Sequence, residues 1–432
     1  MKVNQLMAGA GSAPIQFKQE FFPQESFVGV HDDPMARVLI LDCGEKVAIA
    51  CLELVMLPGQ MLERIKDMIF EKAGVARENI WIHVTHAITT PHEPHAPMGM
   101  GGVKLEISEE EKKALEYKLV LFSDAVMEGV TKAVEEAART VRPAKMGIGT
   151  GECRININRD VPTPFGWWIN FNPDGPSNHT ATLIRFDDME GKPVASVISY
   201  GLKPCAIDNS EMDVGNRQIS SDVPGLACRI LEEQFGAPCM FAMSAAGDQV
   251  PVEQAWYDVV DEEGKVCKVD IGVAAGLEIV DRLGRRMAEE LGSVMKEIVC
   301  DQSAPEIRLD SSFIEWAGKG RGKMKPTLQP EYEANGTQRV DVFTMLIGDL
   351  ALVGVKPEMS TVTEEQLQKA SPFKRTLVMS MVNGGFKYMP HLDAYEKGMW
   401  EAQSAGLMPG AAEAWVDEAV KVLNRMAQGK GE

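Results

Sequence analysis

The sequence lacks the features that mark membrane, secreted and nucleic-acid-binding proteins. No run of about eighteen apolar residues occurs without charge, so we expect no membrane-spanning helix. Residues 1–23 carry no apolar run flanked by basic residues, so we also expect no signal peptide. Only 44 Lys and Arg stand against 63 Asp and Glu, a formal charge of −19, which disfavours nucleic acid and anionic membrane surfaces as partners.

The sequence also lacks disulfide signatures, repeats and linkers. Its 8 cysteines are dispersed without a C-x-x-C pair, as is typical of buried thiols in a reducing compartment. No tract rich in Pro, Gly or Ser divides the chain, so we expect a single domain over residues 1–432. The composition, 45% hydrophobic and 25% charged, is that of a globular protein, and we predict a cytoplasmic one. A homo-oligomeric state stays open, because no surface pattern supports one.

Strand-like and helix-like segments alternate along the chain. Apolar runs at 36–42 and 47–52 predict a hairpin of buried strands, and 61–72 has helical spacing before Gly74. A second helix is predicted to open at the capping box Ser108-x-x-Glu111. Further predicted strands lie at 80–84, 240–243, 342–347, 350–353 and 376–379, and further helices near 271–300 and 411–427. The alternation favours an α/β fold in which a largely buried central sheet is flanked by helices.

A cluster of histidines is the most informative segment. His83, His86, His92 and His95, four of the 7 histidines, lie at the end of a predicted strand and in the loop after it. Neutral imidazole binds divalent metals well, and strand ends are where α/β enzymes place their chemistry. The alternative is that several of these rings only satisfy backbone groups of a proline-rich loop. We favour the functional interpretation because clustered histidines are uncommon.

Polar residues follow several other apolar runs. Glu358 comes after the run 350–355, Lys203 follows the run 194–202, and Tyr388 follows a glycine-containing turn. A carboxylate at a strand end can ligate a metal or act as a base, although a solvated Glu is the more frequent case. Asp248 ends a turn of small residues and could merely satisfy its own backbone.

A tryptophan pair is the candidate for a substrate wall. Trp167 and Trp168 lie in a segment rich in Pro, Asn and Gly, where exposed rings can stack on a ligand. Packing of these rings against the body of the protein is an equal alternative. The residues predicted to bind substrate are Trp167, Trp168, Arg159 and Asp248.

Short motifs, in a fixed order along nearly the whole chain, support a family resemblance. They are His31–Arg37, Thr85-His86, Lys203-Pro204, the segments ISSDVPG at 219–225 and AAGD at 245–248, Pro357-Glu358, and 383–390. These resemble, in the same order, hDpLyaRal, THTHSgP, HPT, iSaDfPG, gAAGD, PGE and NgYxGYxP of the neutral/alkaline ceramidase family. The resemblance is to the N-terminal catalytic domain of that family, and we expect its C-terminal sandwich domain to be absent.

This resemblance implies a zinc ion held by two His, one Glu and one Tyr, with a zinc-bound water that attacks an amide carbonyl. His86, Glu358 and Tyr388 match the family positions. The second His of the THTH motif is Ile88 here, and the His of HPT is Lys203. An ammonium group carries no lone pair, so Lys203 is a poor zinc ligand.

The first functional hypothesis is a metal-dependent hydrolase, with zinc as the expected metal, that acts on an amide or related bond in a small polar cytoplasmic molecule. The metal would polarise the carbonyl and lower the pKa of bound water. His92 or His95 would replace the lost imidazole, so the predicted metal ligands are His86, His92, His95 and Glu358. Tyr388 would ligate or stabilise the oxyanion, and Lys203 would orient an anionic substrate group. The predicted catalytic residues are Lys203, Tyr388, His86 and Glu358.

Two alternatives use the same residues differently. In the second hypothesis the Lys203 ammonium replaces the metal, or a desolvated Lys203 acts as base or Schiff-base nucleophile in an isomerase or lyase. In the third, the chain is a non-catalytic relative that binds a ligand or partner. Retention of Glu358, Tyr388, Asp222 and the AAGD turn disfavours the third.

Overall fold

The structure is a computed structural model that describes residues 5–96, 106–211, 216–320, 322–385 and 387–429. Phe386, within the motif at 383–390, lies outside the described residues. None of the helices in these ranges combines the length and the apolar character that a membrane crossing requires.

The strands and helices follow the predicted alternation. The strands are β1 (Met7–Pro14), β2 (Phe27–Val30), β3 (Met35–Cys43), β4 (Glu45–Leu52), β5 (Ile80–Val84), β6 (Arg142–Glu152), β7 (Asn156–Thr163), β8 (Gly166–Asn172), β9 (Thr180–Asp188), β10 (Pro193–Tyr200), β11 (Arg217–Ile219), β12 (Cys239–Met243), β13 (Gln249–Pro251), β14 (Trp256–Val260), β15 (Val266–Asp270), β16 (Ile307–Lys319), β17 (Ala334–Ile347), β18 (Leu350–Gly354), β19 (Glu358–Met359), β20 (Arg375–Met379) and β21 (Tyr388–Met389). The α-helices are α1 (Gly59–Ala73), α2 (Glu109–Arg139), α3 (Asp222–Phe235), α4 (Val273–Glu297), α5 (Thr361–Ala370), α6 (Leu392–Glu396), α7 (Trp400–Ser404) and α8 (Ala411–Gln428).

Two sheets stack on each other between two layers of helices. The larger sheet has eight strands in the order β12-β10-β9-β6-β1-β3-β4-β5, and the smaller has four in the order β16-β17-β18-β20. Apolar side chains of both sheets, such as Leu39 and Ile49 from one and Leu352 from the other, share one buried cluster. A second cluster joins the larger sheet to α1–α4, and a third joins the smaller sheet to α5 and α8.

The local predictions from sequence are confirmed. The predicted hairpin is β3 and β4, which pair antiparallel from Ala36 with Leu52 to Cys43 with Glu45. Helix α1 ends at Gly74, which has the left-handed φ of 62° that glycine adopts without strain. Ser108 caps α2 through the predicted capping box. The α/β class is confirmed as well, and the structure adds the second sheet, so helices cover only the outer face of each.

The strand at the centre of the larger sheet is built from small residues because a helix lies directly on it. A Cβ atom on Gly9 would come 2.4 Å from the Ala137 carbonyl oxygen, and one on Gly11 would come 2.2 Å from that of Ala133. Both carbonyls belong to α2, so the two glycines of β1 allow the helix backbone to approach the sheet.

Candidate active site

A two-residue parallel pairing brings the first two candidate residues together. Glu358 in β19 lies directly opposite Tyr388 in β21, and the Glu358 backbone N–H donates to the Lys387 carbonyl at 2.8 Å. Glu358 is 1% exposed and Tyr388 is 7% exposed. A strand pairing this short depends on the surrounding core for its stability, so the sequence gives little local signal for it.

Lys203 completes a buried cluster with these two residues. It follows the end of β10, and its side chain is 2% exposed. Its Nζ forms an ion pair with Glu358 Oε2 at 2.8 Å and donates a hydrogen bond to the Tyr388 hydroxyl at 2.7 Å. The ammonium therefore has two polar partners, and a buried charge needs such partners to be tolerated.

His86 contacts the other oxygen of the same carboxylate. Its Nδ1 lies 2.6 Å from Glu358 Oε1, and its side chain is 12% exposed. His86 has a φ of 57°, an uncommon backbone conformation for a residue with a side chain. Glu358 thus lies between His86 and Lys203, and all four predicted catalytic residues are brought together.

The charges in this cluster favour ionised Glu358 and ionised Lys203. Burial raises the pKa of Glu358, but His86 and Lys203 outweigh burial and bring it down to about 2. Burial and the Arg159 charge lower the pKa of Lys203, yet Glu358 and Tyr388 raise it more, so the net shift is upward. A raised pKa keeps the amine protonated, which disfavours Lys203 as a neutral base or Schiff-base nucleophile.

A cavity of about 240 Å³ opens beside this cluster. Its wall includes Arg159, Lys203, Asp208, Lys268, Tyr388 and Trp400. The guanidinium carbon of Arg159 lies 5.4 Å from the centre of the Tyr388 ring, so a second cation faces the phenol. The basic side chains around the cavity are paired: Lys268 contacts Asp258, and Arg159 contacts Glu401.

Asp208 is a cavity residue that the sequence reasoning missed. It has a φ of 49°, and burial raises the pKa of its carboxyl to about 6 despite the neighbouring Arg217 and Lys203. A carboxyl with such a pKa can accept and return a proton near neutral pH. Its position five residues after Lys203 was the only available sequence signal.

The turn that carries Lys203 and Asp208 is held by a buried carboxylate. Asp222 is 0% exposed and accepts backbone N–H groups of Ala206 at 3.0 Å and Ile207 at 3.2 Å. Asp222 lies in the ISSDVPG segment that supported the family resemblance. The motif residue therefore fixes the backbone of the segment that lines the cavity.

Of the predicted substrate-binding residues, only Arg159 lines this cavity. Trp168 is 5% exposed and donates its Nε1–H to Asp258 at 2.7 Å, so it packs within the protein. Trp167 and Asp248 line a separate cavity of about 950 Å³. The Asp248 carboxylate there accepts the backbone N–H and the hydroxyl of Thr361, both at 3.0 Å.

The two remaining predicted metal ligands lie elsewhere. His92 is bound to Glu25, with its Nδ1 3.2 Å from Glu25 Oε2, and its side chain is 51% exposed. His95 is exposed as well. The structure does not bring either residue to Glu358, because the carboxylate of Glu25 holds the loop at His92.

The donor set around Glu358 does not fit a zinc ion. Within the described ranges, no three His, Cys, Asp or Glu side chains form a group that could hold a metal. Where the family resemblance implies an imidazole, Lys203 presents an ammonium already bonded to Glu358 and Tyr388. A cation in that position repels a second cation and donates no lone pair.

Comparison with known proteins confirms the resemblance to neutral ceramidases. The chain is 29% identical to neutral ceramidase B of Dictyostelium discoideum over 145 residues, which are 30% of this chain and 19% of that protein. It is 30% identical to neutral ceramidase A of the same organism over 118 residues, 26% of this chain and 15% of that protein. The aligned segments thus span less than a fifth of these relatives. No protein-family model matches the chain.

Solved structures show the same fold over almost the entire chain. The crystal structure of neutral ceramidase from Pseudomonas aeruginosa matches with a TM-score of 0.71 and 16% identity, covering 98% of this chain and 75% of that one. A ceramidase complexed with C2 matches with a TM-score of 0.71 and 15% identity, covering 98% and 76%. This chain therefore has the fold of the neutral ceramidases.

Proposed function

We propose that this chain, similar in sequence and fold to the neutral ceramidases, is a hydrolase that cleaves an amide or ester bond in a small polar molecule. One observation carries the proposal: the buried Lys203 ammonium, held by Glu358 and Tyr388, lies at the wall of a cavity that also contains Arg159. Fixed positive charge in a desolvated wall stabilises the negative charge that develops on a carbonyl oxygen under attack.

The residues of the cavity provide a complete hydrolytic sequence. The Asp208 carboxylate accepts a proton from water while the water oxygen bonds to the carbonyl carbon. The resulting oxyanion is stabilised by Lys203, the Tyr388 hydroxyl and Arg159. When the bond to the leaving nitrogen or oxygen breaks, Asp208 returns the proton to that atom. Glu358 and His86 then act as positioning residues, because they contact Lys203 or its partner and are not among the residues that line the cavity.

The size of the cavity and the pairing of its basic groups favour a small substrate without a negative charge. About 240 Å³ is less than the roughly 300–1,000 Å³ of pockets that hold drug-sized ligands. The basic groups Arg159, Lys203 and Lys268 in the wall are already paired with carboxylates, so an added negative charge would lack a free cationic partner. We therefore propose a compact amide or ester with hydrogen-bonding groups, in the cytoplasm.

The test is hydrolysis of p-nitrophenyl acetate and p-nitroacetanilide by the full chain in the presence of a chelator. We expect Lys203→Met to lower kcat/KM by about a hundredfold, because one oxyanion-stabilising group is lost. Lys374→Met, at an exposed lysine, is the matched control and should leave the rate unchanged.

Three results would contradict the proposal. Unchanged hydrolysis by Lys203→Met would remove Lys203 from the mechanism. Activity that the chelator abolishes and zinc restores would instead support the zinc-dependent hypothesis. If the wild-type chain cleaves neither probe nor any other small ester or amide, the isomerase, lyase and non-catalytic hypotheses take precedence.

A further inference from the structure

The buried polar network does not end at Tyr388 but continues through Arg159 to Glu401. Arg159 Nε donates to Glu401 Oε1 at 2.6 Å, and the two side chains are 8% and 3% exposed. The guanidinium carbon lies 4.9 Å from the centre of the Trp400 ring, on the same short helix as Glu401. Arg159 is therefore held on one side by Tyr388 and on the other by α7.

A second carboxyl meets Glu401 at the same place. Asp160, 5% exposed, is in hydrogen-bond contact with Glu401. The register between β7 and β8 shifts between Asn158 and Asp160. Such an irregularity changes the direction in which strand side chains point, so the consecutive residues Arg159 and Asp160 can both reach Glu401.

The hydrogen-bond count at this pair leaves room for a proton. One buried oxygen on each carboxyl, Asp160 Oδ1 and Glu401 Oε2, receives no hydrogen bond from any donor in the described part of the chain. Two ionised carboxylates in contact would repel each other, and the Arg159 guanidinium, which is bound to Glu401, supplies one positive charge. A single proton on the pair supplies the missing hydrogen bond and leaves one negative charge opposite one positive charge.

We propose that Asp160 and Glu401 share one proton and, in that state, position Arg159 against Tyr388 at the wall of the reaction cavity. Both are positioning residues, since neither touches the cavity that holds Lys203 and Asp208. Asp160 lies instead in the wall of the larger cavity, which lets water reach its side of the pair. The effect on hydrolysis rests on the proposed function, whereas the shared proton does not.

The surroundings of Asp160 favour the protonated state of the pair. Burial raises the pKa of Asp160 well above its usual value, Glu401 and Asp248 raise it further, and Arg159 lowers it. Loss of the proton at alkaline pH would place a second negative charge beside Arg159. The guanidinium would then be drawn toward the carboxyl pair and away from the phenol.

The experiment compares Asp160→Asn with Glu401→Gln in the full chain. An asparagine mimics the protonated acid, so Asp160→Asn should keep kcat/KM for p-nitrophenyl acetate within about threefold and lose the alkaline decline of the pH profile. Glu401→Gln removes the charge that holds Arg159 and should lower kcat/KM by about tenfold or more, mainly through kcat. Asp174→Asn, an exposed carboxylate at the rim of the larger cavity, is the matched control.

A second measurement is independent of activity. Infrared difference spectra at pH 9 should show a protonated-carboxyl band in the wild type that Asp160→Asn abolishes and that Asp174→Asn retains. At that pH the carboxyls of Asp208, Asp222 and Glu364, with pKa values of about 6 to 7, are ionised and do not contribute.

These readouts separate the two proposals. Absence of the band, or its survival in Asp160→Asn, would overturn the shared proton. Unchanged kcat/KM in Glu401→Gln would overturn the positioning role. If the wild type hydrolyses no probe, the proposed function fails. The infrared band still tests whether Asp160 and Glu401 share a proton. If Asp160→Asn does not fold, the shared proton is tested instead by titrating the wild-type infrared band with pH. Glu401→Gln is then the comparison.

Discussion

Lys203 supplies one positive charge to a cluster whose other members are a carboxylate, a phenol and an imidazole. Its Nζ is 2.8 Å from Glu358 and 2.7 Å from the Tyr388 hydroxyl, the two residues that the family resemblance assigns to zinc. A lysine ammonium is a point charge that cannot be replaced by a lone-pair donor without changing what the cluster binds. The identity of residue 203 therefore decides whether this cluster can bind a metal ion.

At the residue scale, Lys203→His should convert the cluster into a zinc site. The substitution provides an imidazole beside His86, Glu358 and Tyr388, a donor set of the kind that zinc prefers. We expect the variant to bind about one zinc per chain, measured by elemental analysis and calorimetric titration, while the wild type binds none tightly.

Lys374→His, at an exposed position, controls for adventitious binding by an added imidazole. Equal zinc content in the wild type and Lys203→His would show that Lys203 does not exclude the metal. A variant that folds but binds no zinc would show that the other three side chains are not arranged to receive it.

The elements that carry the site depend on close packing rather than on local preference. Helix α2 lies so near to β1 that side chains at Gly9 and Gly11 would meet its backbone carbonyls. The hairpin of β3 and β4 continues the same sheet to β5, and His86 lies two residues after the end of β5. Separation of α2 from the sheet would therefore disturb the strands that position His86.

At the element scale, Gly11→Ala should be strongly destabilising. Its Cβ would lie 2.2 Å from the Ala133 carbonyl oxygen, which is helix backbone and cannot move aside alone. We expect the free energy of unfolding to fall by about 1–3 kcal/mol or more, measured by urea denaturation.

Gly59→Ala is the matched control. It lies at the first residue of α1 with nothing within 4 Å of the added Cβ, so the same substitution should be neutral or stabilise by up to about 1 kcal/mol. Similar losses in both variants would contradict the close-approach explanation.

Across the whole molecule, buried carboxyls act on stability in opposite directions as pH changes. The pKa of Glu358 is lowered to about 2, so its contribution is present above pH 4.5 and is lost as pH falls toward 2. Burial raises the pKa of Glu364 to about 7, against hydrogen bonds from Val378 and Ser244, with Asp248 adding to the rise. A raised carboxyl pKa means that folding favours the protonated form, so stability declines as pH rises from 4.5 to 7.

At the scale of the whole molecule, Glu364→Gln should therefore become more stable relative to wild type as pH rises. The difference in unfolding free energy should grow by about 3 kcal/mol between pH 4.5 and 7 and then level off. Urea denaturation at several pH values measures it. Glu365→Gln, the next residue, whose side chain is 44% exposed, is the matched control, and equal growth there would contradict burial as the cause.

Local structure was determined by the sequence alone. The hairpin of β3 and β4, the capped start of α2 at Ser108 and the end of α1 at Gly74 all match their predicted positions. Each depends on apolar periodicity or on a cap within a few residues, and such signals do not need the rest of the chain. The motif order also identified Glu358, Tyr388 and Lys203 as candidate site residues.

Only the tertiary structure decided how these residues act. The β19–β21 pairing places Glu358 beside Tyr388, and Glu401 reaches Arg159 across 242 positions of sequence. His92 contacts Glu25 rather than His86. Contacts between distant segments, and the charge state of a buried group such as Lys203, follow from which elements pack together. They have no signal in local sequence because burial, distance and neighbouring charge exist only once the layers have assembled.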